Sequence, residues 1–231
     1  MKKPVVDYRQ FRFSKLNSPT FRHLKLLWSW PVYLAVFFIA SHFIPPKDAF
    51  FVHSPLDDMI PFCEWLVLPY VGWYLLIVGS LLYFALYDIE GFKKLQTFLM
   101  ITHIVAIVFY LLLPTRIDLR PEVFPRDNIL TDLVGLLYAA DTPTNACPSM
   151  HVAVSLAIAS AWAKAKAAPT VSRIVAVCFA LAVCASTVLI KQHSIIDGFA
   201  AVAMCLPIEL IVYRKWYAAR VARCKSRPLD K

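Results

Sequence analysis

Six long apolar stretches constrain this chain more than any other feature of its sequence. Each holds about 17 to 22 residues, close to the ~20 that a helix needs to cross a ~30 Å hydrocarbon core. They lack the alternation of apolar and polar residues that is typical of membrane β-barrel strands. The sequence therefore predicts an all-α, polytopic membrane protein, a bundle of six transmembrane helices. The predicted spans are Trp28–Ile44, Leu66–Tyr87, Leu95–Pro114, Ser149–Ala167, Val171–Ile190 and Ser194–Tyr213.

The basic residues are distributed unevenly between the two ends of these spans. Of the 24 lysines and arginines, 19 lie in the N-terminal segment, the C-terminal segment and the connections after the second and fourth spans. The positive-inside rule then predicts a cell (inner) membrane protein with both termini in the cytoplasm. The basic ends suit topology signals and contacts with anionic membrane lipids, so the net charge of +9 does not indicate a nucleic-acid partner.

The chain is expected to form one membrane domain, residues 28–213, between basic cytoplasmic segments at 1–27 and 214–231. In the second outer loop, Asn128–Tyr138 has apolar residues at helical spacing, with Asp127 as a candidate cap. This pattern predicts a short interfacial helix, which either shapes a lipid entrance or packs as a lid.

Other polar residues on the predicted outer side have simpler interpretations. Cys63 and Cys147 both lie there, which permits a disulfide between them. No Cys-x-x-Cys pair is present, so the sequence does not indicate a thiolate zinc site. Asp57 and Asp58 are adjacent in the first outer loop, where such residues cap a helix or face solvent more often than they bind a metal.

His193 and Asp197 form the first candidate catalytic group. If the last span begins near His193, their spacing of four residues places both side chains on one helix face. The carboxylate can then accept a hydrogen bond from one imidazole nitrogen, which leaves the other nitrogen free as a nucleophile. Alone, the pair also fits a histidine that simply binds its own helical turn.

His151 strengthens this hypothesis, because it follows a Pro-Ser turn signal directly before an apolar run. It is therefore expected in the first turn of a helix, where unpaired amides and the helix dipole suit a phosphate. Ser149 can add a hydroxyl donor. Arg120, Arg116 and Lys191 are predicted to supply positive charge for the phosphate oxygens.

Together these polar blocks resemble the type 2 phosphatidic acid phosphatase superfamily, whose motifs are Lys-x6-Arg-Pro, Pro-Ser-Gly-His and Ser-Arg-x5-His-x3-Asp. The corresponding residues here are Arg120-Pro121, Pro148-Ser149-Met150-His151 and Ser186-x6-His193-x3-Asp197. Order and spacing agree, and six predicted spans surround them as in the family. The stretch from Pro55-Leu56-Asp57-Asp58 to Trp73 is also loosely similar to the inositol phosphorylceramide and sphingomyelin synthase branch.

Three motif positions differ from the family. Leu113 stands at the lysine of the first block, Met150 at the glycine of the second and Thr187 at the arginine of the third. Two cationic phosphate ligands of the family are thus absent from their usual places, and Arg116 and Lys191 are the candidate replacements. The substitutions weaken the expectation of ordinary phosphatidate hydrolysis more than the expectation of catalysis.

The resemblance implies a two-step reaction that needs no metal or other cofactor. His193 would attack the phosphorus to give a phosphohistidine, while Asp197 stabilises the imidazolium. His151 would protonate the leaving alkoxide and then activate the acceptor. The side chains expected on the phosphate oxygens are Arg120, Arg116, Lys191 and Ser149.

The acceptor decides the outcome of such a reaction. Water would make the protein a lipid phosphatase acting on a lipid phosphate ester or pyrophosphate. A lipid or polyol hydroxyl would make it a phosphotransferase. Two further hypotheses are a transporter whose histidines and aspartate hold a metal ion, and a non-catalytic membrane scaffold. The identity of the lipid phosphate and the oligomeric state are left open by the sequence.

Overall fold

The structure, a computed structural model, describes residues 4–43 and 49–225, with side chains described for 4–40 and 49–218. The end of the first predicted span at Ile44 and residues 226–231 of the predicted tail lie outside the described residues. The chain is mostly helical. Its helices are α1 (Ser29–Phe43), α2 (Pro55–Met59), α3 (Val67–Tyr87), α4 (Ile89–Leu112), α5 (Ile129–Ala140), α6 (Met150–Lys164), α7 (Thr170–Leu189) and α8 (Ile195–Lys225). Two short strands, β1 (Phe50–Phe51) and β2 (Thr115–Arg116), pair in parallel.

Within the described residues, five helical segments are long and apolar enough to cross a membrane. The prediction of a helical, multi-pass membrane protein is confirmed at this level. The five segments are Arg22–Ala40, Glu64–Tyr87, Ile89–Leu112, Thr170–Leu189 and Ile195–Ala218.

The fourth predicted span forms α6, a helix of only 15 residues. At 1.5 Å per residue it is about 22 Å long, shorter than the predicted Ser149–Ala167. Small residues at every fourth position, Ala153, Ala157 and Ala161, are almost fully buried and allow close helix packing. Because α6 packs on α3, α4, α7 and α8, it is the central helix of the bundle.

The loop helix α5 is fixed to the bundle by polar contacts at both ends. Asn128, and not Asp127, caps its N-terminus, with Oδ1 accepting from the backbone amides of its first turn. Glu64 pairs with Arg126 through two contacts of 2.6 Å. At the other end, the Tyr138 hydroxyl donates to the carbonyl of Ile190 at 2.6 Å. These contacts hold the second loop against the ends of α3 and α7.

The two cysteines that the sequence would allow to pair are separate free thiols. Cys63 and Cys147 are both reduced and half-buried. The backbone amide of Cys63 donates to the carbonyl of Leu189 at 2.9 Å, and that of Cys147 donates to the Thr115 hydroxyl at 3.1 Å. Each cysteine is thus held in place by its backbone, and the disulfide is not formed.

Candidate active site

A cavity of about 610 Å³ opens between α1, α3 and the start of α6. Apolar and aromatic side chains line most of its length. Polar side chains are concentrated at one end, where the N-termini of α6 and α8 meet the second loop. The polar end is formed by Asp141, Asn145, His151, Gln192 and His193.

His193 and Asp197 are in contact, with Nδ1 and Oδ2 3.2 Å apart. His193 precedes the first residue of α8, so the pair closes across the helix N-terminus and does not lie along one helical face as predicted. The fully buried Asp197 carboxylate also accepts from the Ser194 amide at 3.0 Å. The amides of Gln192 and His193 both donate to the carbonyl of Thr187 at 3.0 Å, which fixes the turn that carries the imidazole.

His151 lies in the first turn of α6, as the sequence predicts, and faces the same cavity as His193. Its ring stacks on Tyr70, with centroids 4.2 Å apart, and contacts Trp73 at the same distance. The two histidine rings are 5.9 Å apart between centroids. Nε2 of His151 is buried without a hydrogen-bond partner in the described part of the chain.

Ser149 acts as the N-cap of α6. Its hydroxyl accepts from the amide of Val152 at 3.4 Å, and its own amide donates to the carbonyl of Asp197 at 3.1 Å. The second bond joins the start of α6, which carries His151, to the first turn of α8, which follows His193. Ser149 is fully buried and does not line the cavity, so it positions the site and does not contact the predicted phosphate directly.

Arg120 is held directly behind the polar end of the cavity. One terminal nitrogen donates to the carbonyl of Tyr138 at 2.9 Å, and the other donates to the carbonyl of Asp141 at 3.1 Å and to Gln192 Oε1 at 2.7 Å. The cation thereby complements the C-terminal dipole of α5. Burial lowers the pKa of Arg120, but a guanidinium stays protonated in proteins. Its Nε is buried and unpaired among the described residues.

The structure does not bring Arg116 and Lys191 to the cavity. The ammonium of Lys191 donates to the carbonyls of Asp57 and Ile60, both at 2.6 Å, so it is committed to the first loop. Arg116 is exposed and lies 5.9 Å from the centre of the Phe51 ring. Neither residue stands in for a missing phosphate ligand in this arrangement.

Asp57 supports the site from a distant part of the chain. Its carboxylate accepts from the Ser194 hydroxyl at 2.6 Å and from the amide of Ile195 at 2.8 Å, so it caps α8. It also accepts from the Ser54 amide in its own helical turn. The sequence interpretation of Asp57 as a capping residue is therefore correct, but no sequence signal links it to α8.

Three residues at the polar end were not identified from the sequence. Asn145 adopts a positive φ of 56°, and its Oδ1 is buried and unpaired, as is Nε2 of Gln192, within the described residues. Asp141 contributes a second carboxylate. Desolvation by the cavity wall raises the pKa of the Asp141 carboxyl, although the residue as a whole is exposed and His193 and Arg120 act in the opposite direction. Asp141 and Asn145 lie between the first and second motifs, and Gln192 directly precedes His193. No motif spacing predicts a site residue at these positions.

Cys147 lies beside Asp197 and is not part of the three sequence motifs. Burial and then the adjacent Asp197 carboxylate raise the pKa of Cys147 to about 12. A thiol with so high a pKa stays protonated near neutrality and is a poor nucleophile. The oriented imidazole of His193 is therefore the better nucleophile at this position.

Buried polar groups without partners are rare in folded proteins, and several meet at this one place. The cavity-lining residues that carry such atoms in the described part of the chain are Trp73, Asn145, His151 and Gln192, with Arg120 behind them. A polar ligand would satisfy them. The chain matches no family model, no curated protein and no solved structure. The assignment of this site therefore depends on its own chemistry.

Proposed function

We propose that this protein is an integral membrane lipid phosphatase that hydrolyses a phosphate ester or pyrophosphate of a lipid through a phosphohistidine. The observation that carries the proposal is the contact of the buried Asp197 with His193, which lines the same cavity as His151. A carboxylate on Nδ1 fixes the tautomer and directs Nε2 as the nucleophile. The second histidine lies close enough to reach the leaving oxygen.

The reaction would proceed in two displacements. In the first, Nε2 of His193 bonds to phosphorus, the phosphorus–oxygen bond breaks, and His151 gives its proton to the departing alkoxide. In the second, His151 takes a proton from water, and the hydroxide displaces the histidine to release phosphate. The unpaired donors on Gln192 and Trp73, which line the cavity, are suited to the phosphate oxygens, and Arg120 behind them supplies positive charge.

The proposed setting is a cell inner membrane with six spans, in which α6 is the short fourth span and α5 lies at the interface. Both termini would be cytoplasmic and the histidines extracytoplasmic. This orientation is supported by the concentration of lysines and arginines on the opposite side. The apolar length of the cavity supports a membrane lipid as substrate.

A specific observation favours a second candidate, the transfer of a phospho-head-group to an alcohol. The polar end of the cavity has Arg120 as its nearby cation and also contains the carboxylate of Asp141. Such a site suits a phosphodiester with one negative charge better than a phosphate dianion. The carboxylate can also accept a hydrogen bond from the hydroxyl of an acceptor alcohol.

A panel of lipid phosphates, diesters and pyrophosphates incubated with the purified protein tests the proposal. Free phosphate and new phospholipid are measured in parallel, with and without an added alcohol and a metal chelator. We expect turnover that the chelator does not abolish and that falls at least ~10³-fold in His193→Ala. His53→Ala is the matched control, because His53 binds Asp58 in the first loop away from the cavity.

Three results would contradict the proposal: no turnover of any substrate, undiminished turnover in His193→Ala, or complete inhibition by chelator alone. New phospholipid in place of free phosphate would instead identify the transferase. Trapping of a phosphorylated histidine after acid-free quenching, present in the unmodified protein and absent in His193→Ala, distinguishes the covalent route from direct attack by water.

A further inference from the structure

The apolar part of the cavity is a cleft between two antiparallel helical faces. Leu27, which precedes α1, and the α1 residues from Trp30 to Phe37 line one side at helical spacing. Residues of α3 line the other, from Tyr70 beside His151 to Leu81. From Tyr70 to Leu81 the helix rises about 16 Å, close to the thickness of one leaflet of a ~30 Å core.

This cleft is open on one side along its length. Among its lining residues, Leu34, Tyr74 and Val78 are exposed by 55, 61 and 63%. In a membrane these faces would meet hydrocarbon. Because α1 packs mainly on α4, a gap is left towards α3 through which a chain can enter sideways.

The deep end is held by polar contacts that the proposed reaction does not use. Trp30 donates from Nε1 to Oε1 of the fully buried Gln96 at 3.3 Å. Gln96 in turn donates to the carbonyl of Leu26 at 3.0 Å and to the Ser29 hydroxyl at 2.8 Å. Polar residues inside membrane helices are costly, and this one fixes the indole of Trp30, which lines the cleft beside Leu27 at its deep end.

A second polar residue of α4 fixes the middle of the cleft wall. The ring of His103 stacks on Tyr33, with centroids 3.9 Å apart and planes 11° from parallel. It also meets Trp30 edge-on, at 4.8 Å. Two aromatic side chains of the α1 wall are therefore held in defined positions by α4, and the cleft has a fixed shape and a fixed end.

From these observations we propose that the cleft between α1 and α3 binds one hydrocarbon chain of the phosphate-bearing lipid. Trp30 and Leu81 limit the length of the chain that fits. The inference rests on the proposed function for the position of the phosphate at His151 and His193. The chain would run from that polar end along Tyr74 and Val78 to the closed end.

Two substitutions on α3 shorten the cleft by different amounts. Val78→Trp fills it about 7 Å below Trp73, and Leu81→Trp fills it about 12 Å below. Val78 is exposed, so its substitution does not enter packed protein. Leu82→Trp is the matched control, since Leu82 is 57% exposed and does not line the cavity.

Binding of radiolabelled octanoylglycerol phosphate and oleoylglycerol phosphate is measured in detergent by scintillation proximity, in the His193→Ala background so that turnover cannot interfere. We expect both cleft variants to weaken binding of the oleoyl lipid by at least about tenfold, because several methylenes lose their contacts. Binding of the octanoyl lipid should stay within about twofold for Leu81→Trp and for Leu82→Trp. Val78→Trp should affect the octanoyl lipid more than Leu81→Trp does.

Any of three results would overturn the inference. They are equal losses of affinity for the octanoyl and oleoyl lipids in Leu81→Trp, unchanged oleoyl binding in both cleft variants, and no oleoyl binding by the parent His193→Ala protein. Chain-length-dependent binding by a protein that turns over no lipid phosphate would instead refute the proposed function and leave the cleft assignment standing.

Discussion

Charged and polar side chains meet at both ends of α6, and the two groups differ in how fully their hydrogen bonds are satisfied. At the lysine end (Ser160, Lys164 and Glu209), the Lys164 ammonium contacts Glu209 and donates to the Ser160 hydroxyl at 2.6 Å. Glu209 also accepts from Ser160 and from Tyr217. At the histidine end (His151, His193 and Asp197), one carboxylate is paired but Nε2 of His151 has no partner within the described residues.

This difference distinguishes a polar cluster whose groups are paired within the protein from one that leaves polar atoms free for a ligand. The rings of Tyr213, Trp216 and Tyr217 surround the ammonium of Lys164, so the ion pair is enclosed by protein. Such a pair joins α6 to α8 and needs nothing from outside. The histidine end is instead incomplete without a ligand. Substitutions at the first end should therefore change stability, and those at the second should change activity.

The largest expected effect is at the histidine end. Asp197→Asn keeps an acceptor for the Ser194 amide but no longer fixes the proton of His193 on Nδ1, so kcat should fall about 10³-fold while the protein stays folded. Turnover of the best substrate in the lipid panel is the measurement. Asp118→Asn, an exposed residue of the second loop, is the control. A loss below tenfold would remove Asp197 from the mechanism.

The next effect belongs to the lysine end. Lys164→Met leaves the half-buried carboxylate of Glu209 without its cation, which should lower the free energy of unfolding by about 3 kcal/mol. Turnover per folded molecule should not change. Denaturant titration followed by circular dichroism measures the loss. The double variant Lys164→Met/Glu209→Leu should recover most of it, and failure to recover would show that the pair is not the unit of stability.

A smaller effect is expected where the first loop supports the histidine end. Asp57→Ala removes the acceptor for the Ser194 hydroxyl and the Ile195 amide, so stability should fall by about 2 kcal/mol and kcat should fall with it. Asp58→Ala is the matched control, because the Asp58 side chain is 67% exposed and contacts only the loop residue His53 among the described residues. Equal effects of the two alanines would contradict the capping role.

The smallest effect concerns pH. Because burial raises the pKa of Asp141, this carboxyl is neutral at a higher pH than a free aspartate, and it gains its charge as pH rises through that pKa. The anion then repels the substrate phosphate, so KM should increase with pH in the unmodified protein. In Asp141→Asn this component disappears, and KM at alkaline pH should be lower by about threefold. A constant ratio of the two KM values across pH would contradict this role.

The class of the fold and the contact between His193 and Asp197 could be predicted from the sequence because both depend on local patterns. Apolar stretches of membrane-spanning length indicate helices, and a separation of only four residues keeps His193 and Asp197 close, although the pair closes across the N-terminus of α8 and not along one helical face. His151 was placed in the first turn of a helix by the same kind of local signal. These inferences require no knowledge of how distant segments pack.

The positions that sequence reasoning could not assign depend on tertiary contacts. Lys191 is a cation, but the orientation of its side chain is set by the carbonyls of Asp57 and Ile60, more than 130 residues away in the sequence. Asp57 caps α8 through Ser194, which lies 137 residues after it in the chain. The fourth predicted span forms a helix that starts at Met150 as expected but ends at Lys164, because the chain turns between Ala165 and Pro169 before α7 begins.

The amide of Ser149 and the carbonyl of Asp197 have one further consequence. The start of α6, which carries His151, is joined to the first turn of α8 by a bond between main-chain atoms, which side-chain replacements other than proline at position 149 leave in place. Under the proposed function, substitutions at nearby positions such as Met150 and Thr187 would alter which molecule is bound without removing this link between the two helices. Under the proposed function, the relative position of the two histidines and the choice of substrate would then depend on different residues.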